Sequence, residues 1–136
     1  MFDCIDCVRL YVADLEAGLR FYRDQLGHEL IWRTDKAVGL RIPHSEGEIV
    51  LHTEPHPPEI CFKVPSADEA AQRFEQMGGS IVVPPFDIEI GRLAVVRDPW
   101  GNTYVMLDAT KGLFVTDEHG NVIGHLPPGD PGDQAG

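Results

Sequence analysis

Cys7, Arg9 and Tyr11 alternate with Val8, Leu10 and Val12 near the start of the chain. Such alternation marks a half-buried strand. It turns the apolar set inward and leaves the thiol, guanidinium and phenol together on the opposite face. Glu59, Cys61 and Lys63 share a face by the same rule in Glu59-Ile60-Cys61-Phe62-Lys63-Val64. Basic groups on a concave face suit a carboxylate or enolate ligand, to which they donate charge-assisted hydrogen bonds. Arg41 and Arg92 are candidates to join Arg9 and Lys63 there, with Trp32 and Trp100 as aromatic walls. The plainer alternative places the basic side chains along the sheet's outer edge and Trp100 in the core.

Cys4-Ile5-Asp6-Cys7 is formally a C-x-x-C. In redox proteins that motif opens a helix, whose N-terminus lowers the thiol pKa. Here it runs directly into a strand, where positions three apart point to opposite faces. No second ligand pair of matching spacing supports a structural zinc. Three cysteines cannot all pair, and a reducing compartment is the simpler reading.

The elements that hold these residues are one unit written twice. Val8 to Val12 recurs as Ile60 to Val64, 52 positions on. Leu15, Leu19, Tyr22 and Leu26 have helical spacing, as do Ala67, Ala70, Phe74 and Met77, and each helix is expected to stop at a glycine, Gly27 and Gly79. Asp14 is a suitable N-cap for the first helix, and Ser66-Ala67-Asp68-Glu69 is a capping-box pattern for the second. Strands are expected over 28–33, 37–42 and 48–53, then over 80–83, 92–97 and 103–107. Each module, 1–56 and 57–108, is therefore strand, helix and three strands, with Pro55, Pro57 and Pro58 closing the first. Two copies are too few for a solenoid. They suggest modules packed together, with function in the pocket between them.

Residues 113–116 and 122–125 flank a turn and predict an extra hairpin within 109–126, whereas Pro, Gly and Asp dominate 127–136, a composition expected for a disordered tail. The formal charge of −11 argues against a nucleic-acid partner. The longest apolar runs are strand-sized, and Met1-Phe2-Asp3-Cys4 does not open a signal peptide, so a cytoplasmic protein is expected.

The twofold pattern resembles the vicinal oxygen chelate superfamily of glyoxalase, extradiol dioxygenase and bleomycin-resistance proteins over roughly residues 5–108. The resemblance rests on Tyr11-Val12-Ala13-Asp14-Leu15, Phe21-Tyr22, Leu26-Gly27 and Asp98-Pro99-Trp100-Gly101-Asn102 in order. It implies an α+β fold of two βαβββ modules in an open, barrel-like mixed sheet around a cavity, commonly in a homodimer. It also implies metal ligands on the first and last strand of each module, which fall on Cys7, His52, Glu59 and Val105. Val105 cannot ligate. The remaining Cys, His and Glu would hold a divalent ion (zinc, manganese, iron or nickel) that chelates oxygens of a small anionic or oxygen-rich substrate for lyase, isomerase or dioxygenase chemistry. Glu59 could instead serve as a general base. The alternative is a metal-free protein that sequesters a small molecule, as bleomycin-resistance relatives do.

Overall fold

The computed structural model describes residues 1–126, so the tail expected over 127–136 lies outside the described residues. The first module holds β1 (Cys4–Tyr11), α1 (Leu15–Leu19), β2 (Leu30–Arg33), β3 (Ala37–Arg41) and β4 (Glu48–His52). The second holds β5 (Glu59–Lys63), α2 (Ala67–Gln76), β6 (Ser80–Ile88), β7 (Gly91–Arg97) and β8 (Thr103–Leu107). β9 (Leu113–Thr116) and β10 (Val122–Leu126) form the extra hairpin.

The strand order of the main sheet is β2-β3-β4-β1-β5-β8-β7-β6, which reads the same outward from either side of the β1–β5 seam. β1 pairs parallel with β4 and β5 parallel with β8, while β1 and β5 run antiparallel. The last three strands of each module pair antiparallel, as short connections favour.

Both helices cover one face of the sheet. Leu19 packs with Val38, Leu40 and Leu51, while Ala67, Ala70, Ala71 and Phe74 of α2 pack with Val64, Ala94, Val96 and Met106. Asp14 caps α1 by accepting from the Ala17 N–H at 2.9 Å, and Ser66 caps α2 through the Glu69 N–H at 3.2 Å. After α1 the chain continues through a π-wound segment, Arg20–Gln25, before Gly27 turns it with φ of 87°.

The second module departs here from the repeat. The left-handed turn after α2 falls on Gly78, with φ of 106°, and not on Gly79. Gly79 serves another purpose: a Cβ there would overlap the Phe74 ring, so its bare backbone lets the helix side chain pack down. The opposite, concave face of the sheet carries a separate apolar cluster around Cys7, Val50, Cys61, Val105 and Leu107. Among the described residues no helix is long and apolar enough to cross a membrane.

Candidate functional site

Strand register sets out the concave face as successive rungs. Glu48, Cys7, Cys61, Val105 and Val95 lie side by side across five strands. The next rung carries Val50, Arg9 and Glu59, and the one beyond pairs Tyr11 with His52. Over the first two rungs lies a cavity of about 700 Å³, within the range of pockets that hold drug-sized molecules. Both modules wall it, and the hairpin completes it with Leu113, Phe114 and Thr116. Backbone hydrogen bonding from the Arg33 N–H to the Gly120 carbonyl at 2.7 Å ties the hairpin to the β2 edge, and Phe114 meets Trp32 with ring centroids 5.6 Å apart.

Its walls are apolar, but its ionisable groups are mostly acidic. Asp6, Glu48, Glu54, Glu59 and Glu89 border it, whereas Arg9 is the only Arg or Lys to do so among the described residues. Arg9 is already paired, with Nε 3.3 Å from Glu59 Oε1. Burial pushes the Glu48 carboxyl above its ordinary range, against a hydrogen bond from the Trp32 indole N–H at 2.7 Å, and the nearby Asp6 charge raises it further. Burial likewise raises Asp6, although Lys63 and the Cys7 thiol oppose the shift. Low-dielectric surroundings penalise a carboxylate unless a cation or donor compensates.

The residues expected on this face divide accordingly. Cys7, Arg9, Glu59 and Trp32 border the cavity. Tyr11 lies beyond its end and is exposed. Lys63 shares a rung with Leu107 and Leu93, which border the cavity, but is not itself among the lining residues and lies next to Asp6. Arg41 is exposed and pairs with Glu29 at 3.1 Å. Arg92 is drawn away by Asp68 and Asp87, both at 3.0 Å, because alternation along β7 gives the cavity to Leu93 and Val95. Trp100 projects from its turn, 85% exposed, and is neither wall nor core.

Cys7, His52 and Glu59 occupy three different rungs and do not converge. The buried Cys7 thiol meets Cys61, and that contact together with burial pushes its pKa far up, away from the thiolate. Glu59 is held by Arg9. His52 is 3% exposed and stacks on His56, with centroids 4.2 Å apart, while its Nδ1 accepts from the Glu54 N–H at 3.2 Å. Its Nε2 is buried without a partner, but no other expected ligand faces it on its own rung. Among the described residues no three His, Cys, Asp or Glu side chains group to hold a metal ion. The residues present therefore do not fit the divalent site that the resemblance implied.

Asp6, Glu48 and the Cys7–Cys61 contact went unrecognised in the sequence. Glu48 opens the strand expected over 48–53, and only its position opposite Cys7 and within reach of Trp32 makes it a cavity group. Asp6 enters because the pairing shifts between Ile5 and Cys7, which breaks strict alternation.

The palindromic sheet, paired modules and concave cavity define the class. Residues 4–106 match the model of the Glyoxalase/Bleomycin resistance protein/Dioxygenase superfamily, and the chain belongs to that family. No curated protein matches it in sequence. Among solved structures, methylmalonyl-CoA epimerase from Mycobacterium tuberculosis is similar with a TM-score of 0.68 and 19% identity, covering 79% of this chain and 88% of that one. A variant of the Streptomyces coelicolor methylmalonyl-CoA epimerase, in complex with 2-nitronate-propionyl-CoA, matches with a TM-score of 0.68 and 16% identity, over 80% of this chain and 99% of that one. Homoprotocatechuate 2,3-dioxygenase from Brevibacterium fuscum, in complex with 3,4-dihydroxyphenylacetate, gives 0.60 at 23% identity, over 78% of this chain but 36% of that one. At these identities the likeness shows the fold.

Proposed function

We propose that the protein binds a small organic molecule with an apolar body and a cationic or hydrogen-bond-donating group, held in the intermodule cavity without a divalent metal. The observation that carries this reading is the cavity's charge: five carboxyls border it, and its one guanidinium is paired with Glu59. An anionic ligand would meet Glu48 and Asp6, and among the described residues the one bordering guanidinium is already paired with Glu59, so the anionic ligand expected from the sequence is not retained. A cationic head placed beside Glu48 gains the charge-assisted contact that Trp32 alone does not supply. Trp32 and Phe114 add aromatic faces, which attract a cation as well as an apolar body.

One observation favours a second reading, in which the cavity also moves a proton. Glu48 is desolvated, oriented by Trp32 and raised in pKa, which are the properties of a carboxyl suited to proton exchange with a bound ligand. Glu59, the general base expected from the sequence, is engaged by Arg9 and is the weaker candidate. Dimerisation is a separate proposal, since all the walls named above come from one chain; sedimentation at micromolar concentration tests it.

Calorimetric screening of arylalkyl amines in the presence of EDTA tests the main reading. It predicts binding that EDTA leaves unchanged and that Glu48→Gln weakens. Binding abolished by EDTA and restored by a divalent ion would overturn it.

A further inference from the structure

The floor of the cavity holds a feature that the organic ligand does not explain. Cys7 and Cys61 are register partners across the β1–β5 seam, 5% and 1% exposed, and both border the cavity. Both thiols are free, and the two residues pack in one buried cluster on that face. Cross-strand neighbours have their Cβ atoms about 4.5–5.5 Å apart, so rotation of each χ1 brings both sulfurs to bear on one point above the sheet. Beside Cys61 the rung continues with Val105 and Val95, which carry no ligating atom. Beside Cys7 it continues with Glu48, whose Oε1 is engaged by Trp32, and among the described residues no third His, Cys, Asp or Glu side chain groups with the pair to hold a metal.

We propose that Cys7 and Cys61 form a two-sulfur site for a soft monovalent metal ion of the copper(I) type. The restriction to two ligands selects the ion. Zinc takes about four protein or solvent ligands in a tetrahedron, and calcium and magnesium take about six or more oxygens. A soft ion with a filled d shell binds thiolate sulfur strongly and is satisfied by two of them. The family-type ligand set does not include Cys61, so this site is distinct from the divalent one that the residues fail to build.

Binding displaces both thiol protons: two thiols and one monovalent ion give a bis-thiolate complex of net charge −1 and two released protons. Arg9, one rung along, favours negative charge at Cys7, while the neighbouring Asp6 opposes it. The ligand type also discriminates. A hard ion gains little from sulfur ligands, whereas a soft one binds them strongly.

The test presents fully reduced protein, under anaerobic conditions, with copper(I) as its coloured bicinchoninate complex. One ion per chain should be withdrawn from the dye by wild type and by Cys4→Ser, and none by Cys7→Ser or Cys61→Ser. X-ray absorption on the wild-type complex provides a readout that does not depend on the variants folding, and two-sulfur coordination is expected. Withdrawal undiminished in Cys7→Ser or Cys61→Ser, or a shell dominated by nitrogen or oxygen, would overturn the proposal. So would zinc bound as tightly as copper(I).

Discussion

Trp32 donates its indole N–H to Glu48 Oε1 at 2.7 Å, across a β3 strand that carries Gly39 at the point of crossing. A Cβ on residue 39 would overlap the indole, so the glycine is what lets the tryptophan lie flat over the sheet and reach the carboxyl. Gly39→Ala should displace Trp32 and free Glu48 of its donor. The expected result is weaker ligand binding together with quenching or shift of tryptophan emission in the folded state. Unchanged emission and affinity would show that the contact does not organise the wall.

Glu48 makes a prediction about pH. Its folded pKa is raised above the ordinary 4.5, so the folded state holds its proton more tightly than the unfolded chain does. The group's contribution to stability is then most favourable at pH below 4.5 and declines as pH rises through the folded value. Glu48→Gln should raise the thermal midpoint at neutral pH, with the gain shrinking toward acid. Thermal denaturation at several pH values measures this, and a gain that grows toward acid would contradict it.

Asp108 has the opposite sign. It is 2% exposed; burial pushes its carboxyl up, but hydrogen bonds from the backbone of Ala67 and Arg92 and from Thr110 outweigh this and hold it below the ordinary 3.8. Its stabilisation is present above that value and is lost as pH falls through the folded one. The carboxylate joins α2, through the Ala67 N–H at 2.7 Å, to β7, through the Arg92 N–H at 3.0 Å. Asp108→Ala strips several buried donors of their partner and should cost about 3 kcal/mol or more at neutral pH. A loss under about 1 kcal/mol, as expected of an exposed surface residue, would refute the role.

The order of the elements was legible because caps and alternation are local. Asp14, Ser66 and the apolar spacing of the helices give the module plan, and the hairpin at 113–126 appears where its apolar flanks predict it. What alternation does not fix is register between distant strands. His52 lies opposite Tyr11 and Glu48 opposite Cys7 because of how far β4 slides along β1, a choice made by packing of Leu51 and Ile49 against the helix layer. The same limit hid Arg92, because alternation along β7 gives the cavity to Leu93 and Val95 and turns Arg92 toward Asp68 and Asp87. Gly79 for Gly78 was the smallest slip, one residue at a helix end, where either glycine satisfies the local sequence rule.

The hairpin predicts a lid. Phe114 covers Trp32 and borders the cavity, yet it is only half-buried. Phe114→Ala should lower affinity for a bound aryl ligand by about 1 kcal/mol, the usual worth of an aromatic pair, while the melting temperature hardly moves. Truncation after Gly112 should act in the same direction and more strongly. Loss of fold with no separable effect on binding would make the hairpin a structural clasp.

Selection by positive charge or donor capacity, without a divalent metal, is what a cavity bordered by five carboxyls and one paired guanidinium should show. A pair of calorimetric titrations in EDTA measures it, one with naphthylmethylammonium and one with naphthoate, which share an apolar body and differ in charge. Saturable binding of the ammonium, weakened by Glu48→Gln, and no measurable binding of the carboxylate are expected. Preferential binding of naphthoate, or of neither until a divalent ion is restored, would contradict the proposed function.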